Sequence, residues 1–163
     1  MDPESYISNY PESDHAAPEL LNDPHFREAI YRQLHPTPPS LALPLVRELF
    51  RREGNYRADE SNDGEHFENL YWAALFLYQM GTLKDVIPMW DAKHISMDTG
   101  GGFDIQFLVG RGVMETIRYC RELNTPKAIA AAEYLIACQD AGDFDGLDTW
   151  LNDRIRYFDD DAN

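Results

Sequence analysis

The sequence has little cysteine, little basic charge and no long apolar run, and each shortage removes a class of protein. Two cysteines, Cys120 and Cys138, cannot build a disulfide framework, so two reduced core thiols in a cytosolic protein are expected. No stretch approaches about 18 consecutive apolar residues, and no membrane span is expected. The opening Met-Asp-Pro-Glu-Ser-Tyr lacks the basic-then-apolar pattern of a secretory signal, which also points to the cytoplasm. Lys and Arg total 14 against 29 Asp and Glu, a formal charge of −15. A surface this negative repels nucleic-acid phosphates and anionic lipid and attracts a cationic partner. Period-two alternation is also missing, so strands are not expected.

What is present is enough for one domain of 163 residues, 44% hydrophobic and 12% aromatic. The acids are unevenly spread. Residues 1–24 carry six acids and no base, and residues 139–163 carry eight acids against Arg154 and Arg156. The division expected is an acidic arm over 1–22, one helical domain over 23–158 and an acidic tail over 159–163.

Helix punctuation recurs along the chain. Asp23-Pro24 reads as cap and first helical residue of a helix to Leu34, which the proline run after His35 stops. Ser40 can cap a second helix ending near Gly54, followed by a polar loop. Asn62 with Glu65 suggests a capping box for a helix over about 63–80. That helix is apolar on two faces, with Phe67, Leu70, Tyr71, Ala74, Leu75 and Tyr78 on one and Trp72, Phe76 and Met80 on the other, so it should be central. Thr82 with Asp85, Thr125-Pro126 and the turn near Asp143 open further helices. The expected fold is all-α, an irregular bundle or a short stack of helical hairpins, with about seven or eight helices. An echo between the Gly81 turn leading to Trp90 and the Gly142 turn leading to Trp150 motivates the hairpin stack.

The most unusual segment runs from His94 to Gly102. Asp98-Thr99-Gly100 has the aspartic-protease triplet, but that chemistry needs a second copy and flanking strands, and neither is present. The glycines match no phosphate-loop or dinucleotide spacing. They read better as a sharp turn, with Asp98 or Thr99 capping the helix that follows. Asp91, His94 and Asp98 do not complete a two-metal carboxylate motif. Asp143-Phe144-Asp145-Gly146 has Ala141 and Asn152 where a calcium loop needs carboxylates. His15, His25, His35 and His66 show no ligand spacing, so no metal and no cofactor is expected. Phe103, Ile105, Phe107 and Leu108 read as buried on a short helix, leaving Asp104 and Gln106 to bond a neighbouring loop or a partner.

Leu70-Tyr71-Trp72, the Tyr78-Gln79-Met80-Gly81 turn, Met89-Trp90-Asp91-Ala92-Lys93, Asp98-Thr99, the run Gly102 to Gly110 and Glu115-Thr116 cover about a third of the chain. In these motifs the chain resembles small all-helical bacterial proteins found in the company of immunity proteins of polymorphic toxin systems. The resemblance implies a non-enzymatic inhibitor of a cognate toxin, and assigns no catalytic residue. The charge adds that such a toxin would be basic, and that contacts would come from the acidic loops. The expected contact residues are Asp91, His94, Asp98, Asp104, Gln106, Asp143, Asp145 and Asp148. A hairpin adaptor for a cytosolic protein or peptide is the alternative. An enzyme built on His94, Asp98 and Asp104 is a third reading, which a closed pocket joining them would favour.

Overall fold

The computed structural model describes residues 1–62 and 64–160, the side chain of Asp160 excepted. Among them there are ten α-helices, four short 3-10 turns and no strand. The helices are α1 (Pro3–Ser8), α2 (Glu12–Ala16), α3 (Pro24–Leu34), α4 (Leu43–Ala58) and α5 (Asn69–Met80), then α6 (Val86–Lys93), α7 (Met97–Gly102), α8 (Val113–Leu123), α9 (Pro126–Ala141) and α10 (Leu147–Asp160). All-α is therefore the observed class, but seven or eight helices was too few. The extra ones, α1, α2 and α7, have six residues or fewer, too short to show helical periodicity.

Three caps formed as their residues suggested. Asp23 accepts from the His25 N–H, Thr125 from the Ala128 N–H, and Thr82 with Asp85 forms a reciprocal box. The Asn62–Glu65 box did not form. Residues 64–68 are turns, Gly64 and His66 have φ of 90° and 63°, and α5 begins only at Asn69. Tyr56 Oη donates to the Glu65 carbonyl at 3.1 Å and the Arg57 guanidinium lies 4.1 Å above the Phe67 ring, which holds this segment back on α4. The second helix also runs past Gly54 to Ala58, because one glycine weakens a helix without ending it.

α5 is the core. Leu70, Trp72, Ala73, Ala74, Leu75, Phe76 and Leu77 are all buried, and the helix packs against α3, α4, α10 and the 3-10 turn Ile105–Val109. Trp72 stacks between Tyr31 of α3 and Phe158 of α10, with ring centroids 5.6 and 4.7 Å away. Residues 1–22, read as an acidic arm, form α1, α2 and a 3-10 turn that bury Tyr6 and Leu21 completely. Of the expected acidic tail, Asp159 and Asp160 continue α10, while 161–163 lie outside the described residues.

The arginines of α3 and α4 wire the first part of the molecule together. Arg27 makes a bidentate pair with Glu53 at 2.6 and 3.0 Å and donates to the Leu21 and Asn22 carbonyls, and Tyr31 Oη donates to Glu53 at 3.1 Å. Both charges are buried, and the pair is tolerated because both Glu53 oxygens and the Arg27 guanidinium are hydrogen-bonded. Arg52 reaches Asp14, Asn22 and Glu48, and Arg47 joins α4 to Asp85.

Candidate functional site

The candidate residues all lie from the end of α6 to the first turns of α10, and the structure shows how these segments meet. α6 ends at Lys93, so Asp91, His94 and Asp98 do not share one helix. His94 Nδ1 is 2.7 Å from the Trp90 carbonyl and its ring packs on Trp90 at 4.2 Å. Trp90 in turn meets Tyr134 of α9 at 5.6 Å, and Asp91 pairs with Lys127 of the same helix at 2.6 Å. Further along α9, Cys138 sits beside Asp143, whose carbonyl accepts from Gln106 Nε2 at 2.8 Å. Asp104, two residues before Gln106, accepts from Trp150 Nε1 at 2.9 Å and pairs with Arg154 at 2.6 Å. These links form a strip running from the end of α6 across α9 and the 142–146 turn to α10.

The glycine segment is a correction. Gly100, Gly101 and Gly102 lie inside α7, and the cap is Ser96, which accepts from the Thr99 N–H while Thr99 Oγ1 accepts from the Ser96 N–H. Lys93 explains why so weak a helix holds. Its ammonium donates to the Gly100 and Phe103 carbonyls at 2.6 and 2.8 Å, satisfying the end of α7. Burial lowers the Lys93 pKa, and the charge of Asp104 works against that shift. A Cβ at Gly102 would lie 2.6 Å from Tyr71 Oη, so a larger residue there must displace the Tyr71 side chain.

Once these internal bonds are drawn, the eight candidates separate. Asp91 and Asp104 pair with α9 and α10, Gln106 bonds the 142–146 turn, and His94 folds back on Trp90 of its own helix. Asp98, Asp143, Asp145 and Asp148 are exposed and, among the described residues, make no ion pair. Met97, next to Asp98 in sequence, is 95% exposed, and Tyr134, close enough to Asp143 to feel its charge, is 44% exposed.

His94, Asp98 and Asp104 do not meet. His94 is turned onto Trp90 and Asp104 onto α10, while Asp98 stands in solvent. Burial, with Asp143 alongside, pushes the Cys138 thiol up to about 11, and burial also raises Cys120, so both stay protonated at neutral pH. The hairpin echo is likewise not a repeated geometry. Gly81 is extended at φ −70° and ψ −173°, whereas Gly142 is left-handed at φ 84°.

One grouping was missed by reading the sequence. His25 and His66 were judged unclustered, yet their rings meet edge-on at 4.3 Å. No spacing rule joins residues that far apart, and only the turn after α4 brings them together. No protein-family model, curated protein or solved structure matches the chain.

Proposed function

We propose that this protein is a non-enzymatic binding inhibitor, an immunity protein that occludes a basic cognate toxin with its acidic strip. The observation that carries this reading is the set of four exposed acids, Asp98, Asp143, Asp145 and Asp148, left without ion pairs beside exposed Met97 and Tyr134. Acids that stabilised the fold would be paired as Asp91 and Asp104 are. Acids that make no internal ion pair need break none to meet a cation, and they draw a basic partner in. Such steering raises association rates about 10- to 1,000-fold at low salt. Met97, flexible and apolar, and Tyr134, amphipathic and anchored on Trp90, are the residues suited to fill pockets on the partner.

The test is genetic and then kinetic. The reading frame immediately upstream should encode a large protein ending in a toxic domain. Co-expression of that domain with this chain should restore growth and yield a one-to-one complex. If the toxic domain kills equally well in its presence, the inhibitor reading falls.

A further inference from the structure

Three side chains remote in sequence from the acidic strip converge where α3 begins. His25 is the second residue of α3, and Glu65 and His66 belong to the turn between α4 and α5. One donor atom from each lies within 4.8 Å of both others. His66 Nδ1 is 2.7 Å from Glu28 Oε2, and Glu28 also accepts from Arg32 at 2.6 Å. A carboxylate oxygen at that distance accepts a proton from Nδ1, and in the tautomer this selects the ring's lone pair lies on Nε2.

That Nε2 is the observation that needs an explanation. It is fully enclosed and makes no hydrogen bond among the described residues, on a side chain only 8% exposed. Glu65 Oε1, another acceptor, faces it at 3.7 Å. A carboxylate oxygen and an imidazole nitrogen facing one gap, with a second imidazole at its edge, are a donor set for a cation.

We propose that His25, Glu65 and His66 bind a divalent transition metal of the zinc class, with Glu28 as the outer carboxylate that orients His66. Donors bonded to one tetrahedral zinc lie about 3.4 Å apart, close to the separation already present between His66 Nε2 and Glu65. His25 and Glu65 are exposed and can rotate to close the remaining distance. Two imidazoles and one carboxylate suit zinc and its borderline neighbours, whereas calcium and magnesium take oxygen ligands. The positive end of α3 opposes a cation here, and Asp23, Glu28 and Glu65 offset it. Three protein ligands leave one position for water or a partner's side chain. The metal would pin the 64–68 turn to α3.

The test uses the full chain stripped with a chelator. Zinc chloride is titrated against a competing chromophoric chelator, and cobalt(II) is added separately for its visible spectrum. One equivalent of zinc should bind, raising the melting temperature, and cobalt should give the intense absorption of a four-coordinate site. His25→Ala and Glu65→Gln change exposed side chains, so far-UV circular dichroism should match the parent while zinc affinity drops at least 10-fold. Glu28→Gln should weaken zinc about 10- to 100-fold. His94→Ala, a control away from the site, should leave affinity unchanged. Absence of stoichiometric zinc binding, or equal affinity in parent and the His25→Ala, Glu65→Gln double variant, overturns the proposal. Neither result bears on toxin inhibition, which uses none of these residues.

Discussion

The first four helices and the strip from α6 to α10 treat their charges in opposite ways. In the first region nearly every arginine is spent inside the protein, on Glu53, Glu48, Asp14, Asp85 or Glu28. In the second, Asp91 and Asp104 have cationic partners, but Asp98, Asp143, Asp145 and Asp148 have none among the described residues. Charge therefore ties helices together in one region and leaves four carboxylates exposed without ion pairs in the other.

The sharpest way to break this contrast is at its most buried pair. Arg27→Met should cost about 3–5 kcal/mol, because Glu53 would be left charged in the interior without its partner. Urea denaturation would measure the loss, and a cost under 1 kcal/mol would show that the first region does not depend on its wiring. Asp104→Ala tests the strip where it is paired. Trp150 Nε1 and Arg154 both lose their acceptor, so a loss of about 1.5–3 kcal/mol is expected in the same assay, with α10 loosened in hydrogen exchange.

A smaller effect is expected at Glu48, where Arg51 and Arg52 hold the carboxyl below its usual range. A lowered native pKa contributes stability that is fully present above the unfolded value, about 4.3, and disappears as the pH falls through the native one. Glu48→Gln should thus cost at most about 1 kcal/mol at pH 7, and the gap to the parent should close on acidification. If the gap widens toward low pH, the pairing is misassigned. The smallest stability change belongs to Asp98, Asp143, Asp145 and Asp148 replaced together by Asn. With no ion pair to lose and less mutual repulsion, stability should hold or rise by about a few tenths of a kcal/mol. The same variant should associate more slowly with the toxin and lose most of its salt dependence. An unchanged rate at low salt would remove the electrostatic part of the proposed function.

How legible these regions were depended on the range of the interaction. The helices opened by Asp23-Pro24, Thr82 with Asp85 and Thr125-Pro126 could be read because a cap is a bond between residues three or fewer apart. The same rule misled at Asn62 and Glu65, where the turn's contacts with Tyr56 and Arg57 outweighed a local box. Of the candidate site, Asp104 and Gln106 were expected to bond a neighbour or a partner, and the neighbour proved to be α10 and the 142–146 turn. That Lys93 would hold the glycine helix, or that His25 would meet His66, no local pattern could show.

By itself, then, the sequence settled the all-helical class, the buried central helix and the surplus of negative charge, since periodicity, caps and composition are properties of neighbouring residues. The tertiary structure decided which carboxylates are neutralised and which remain free, and which histidines share a gap. Those outcomes depend on contacts between distant segments, and such contacts exist only once the helices have packed.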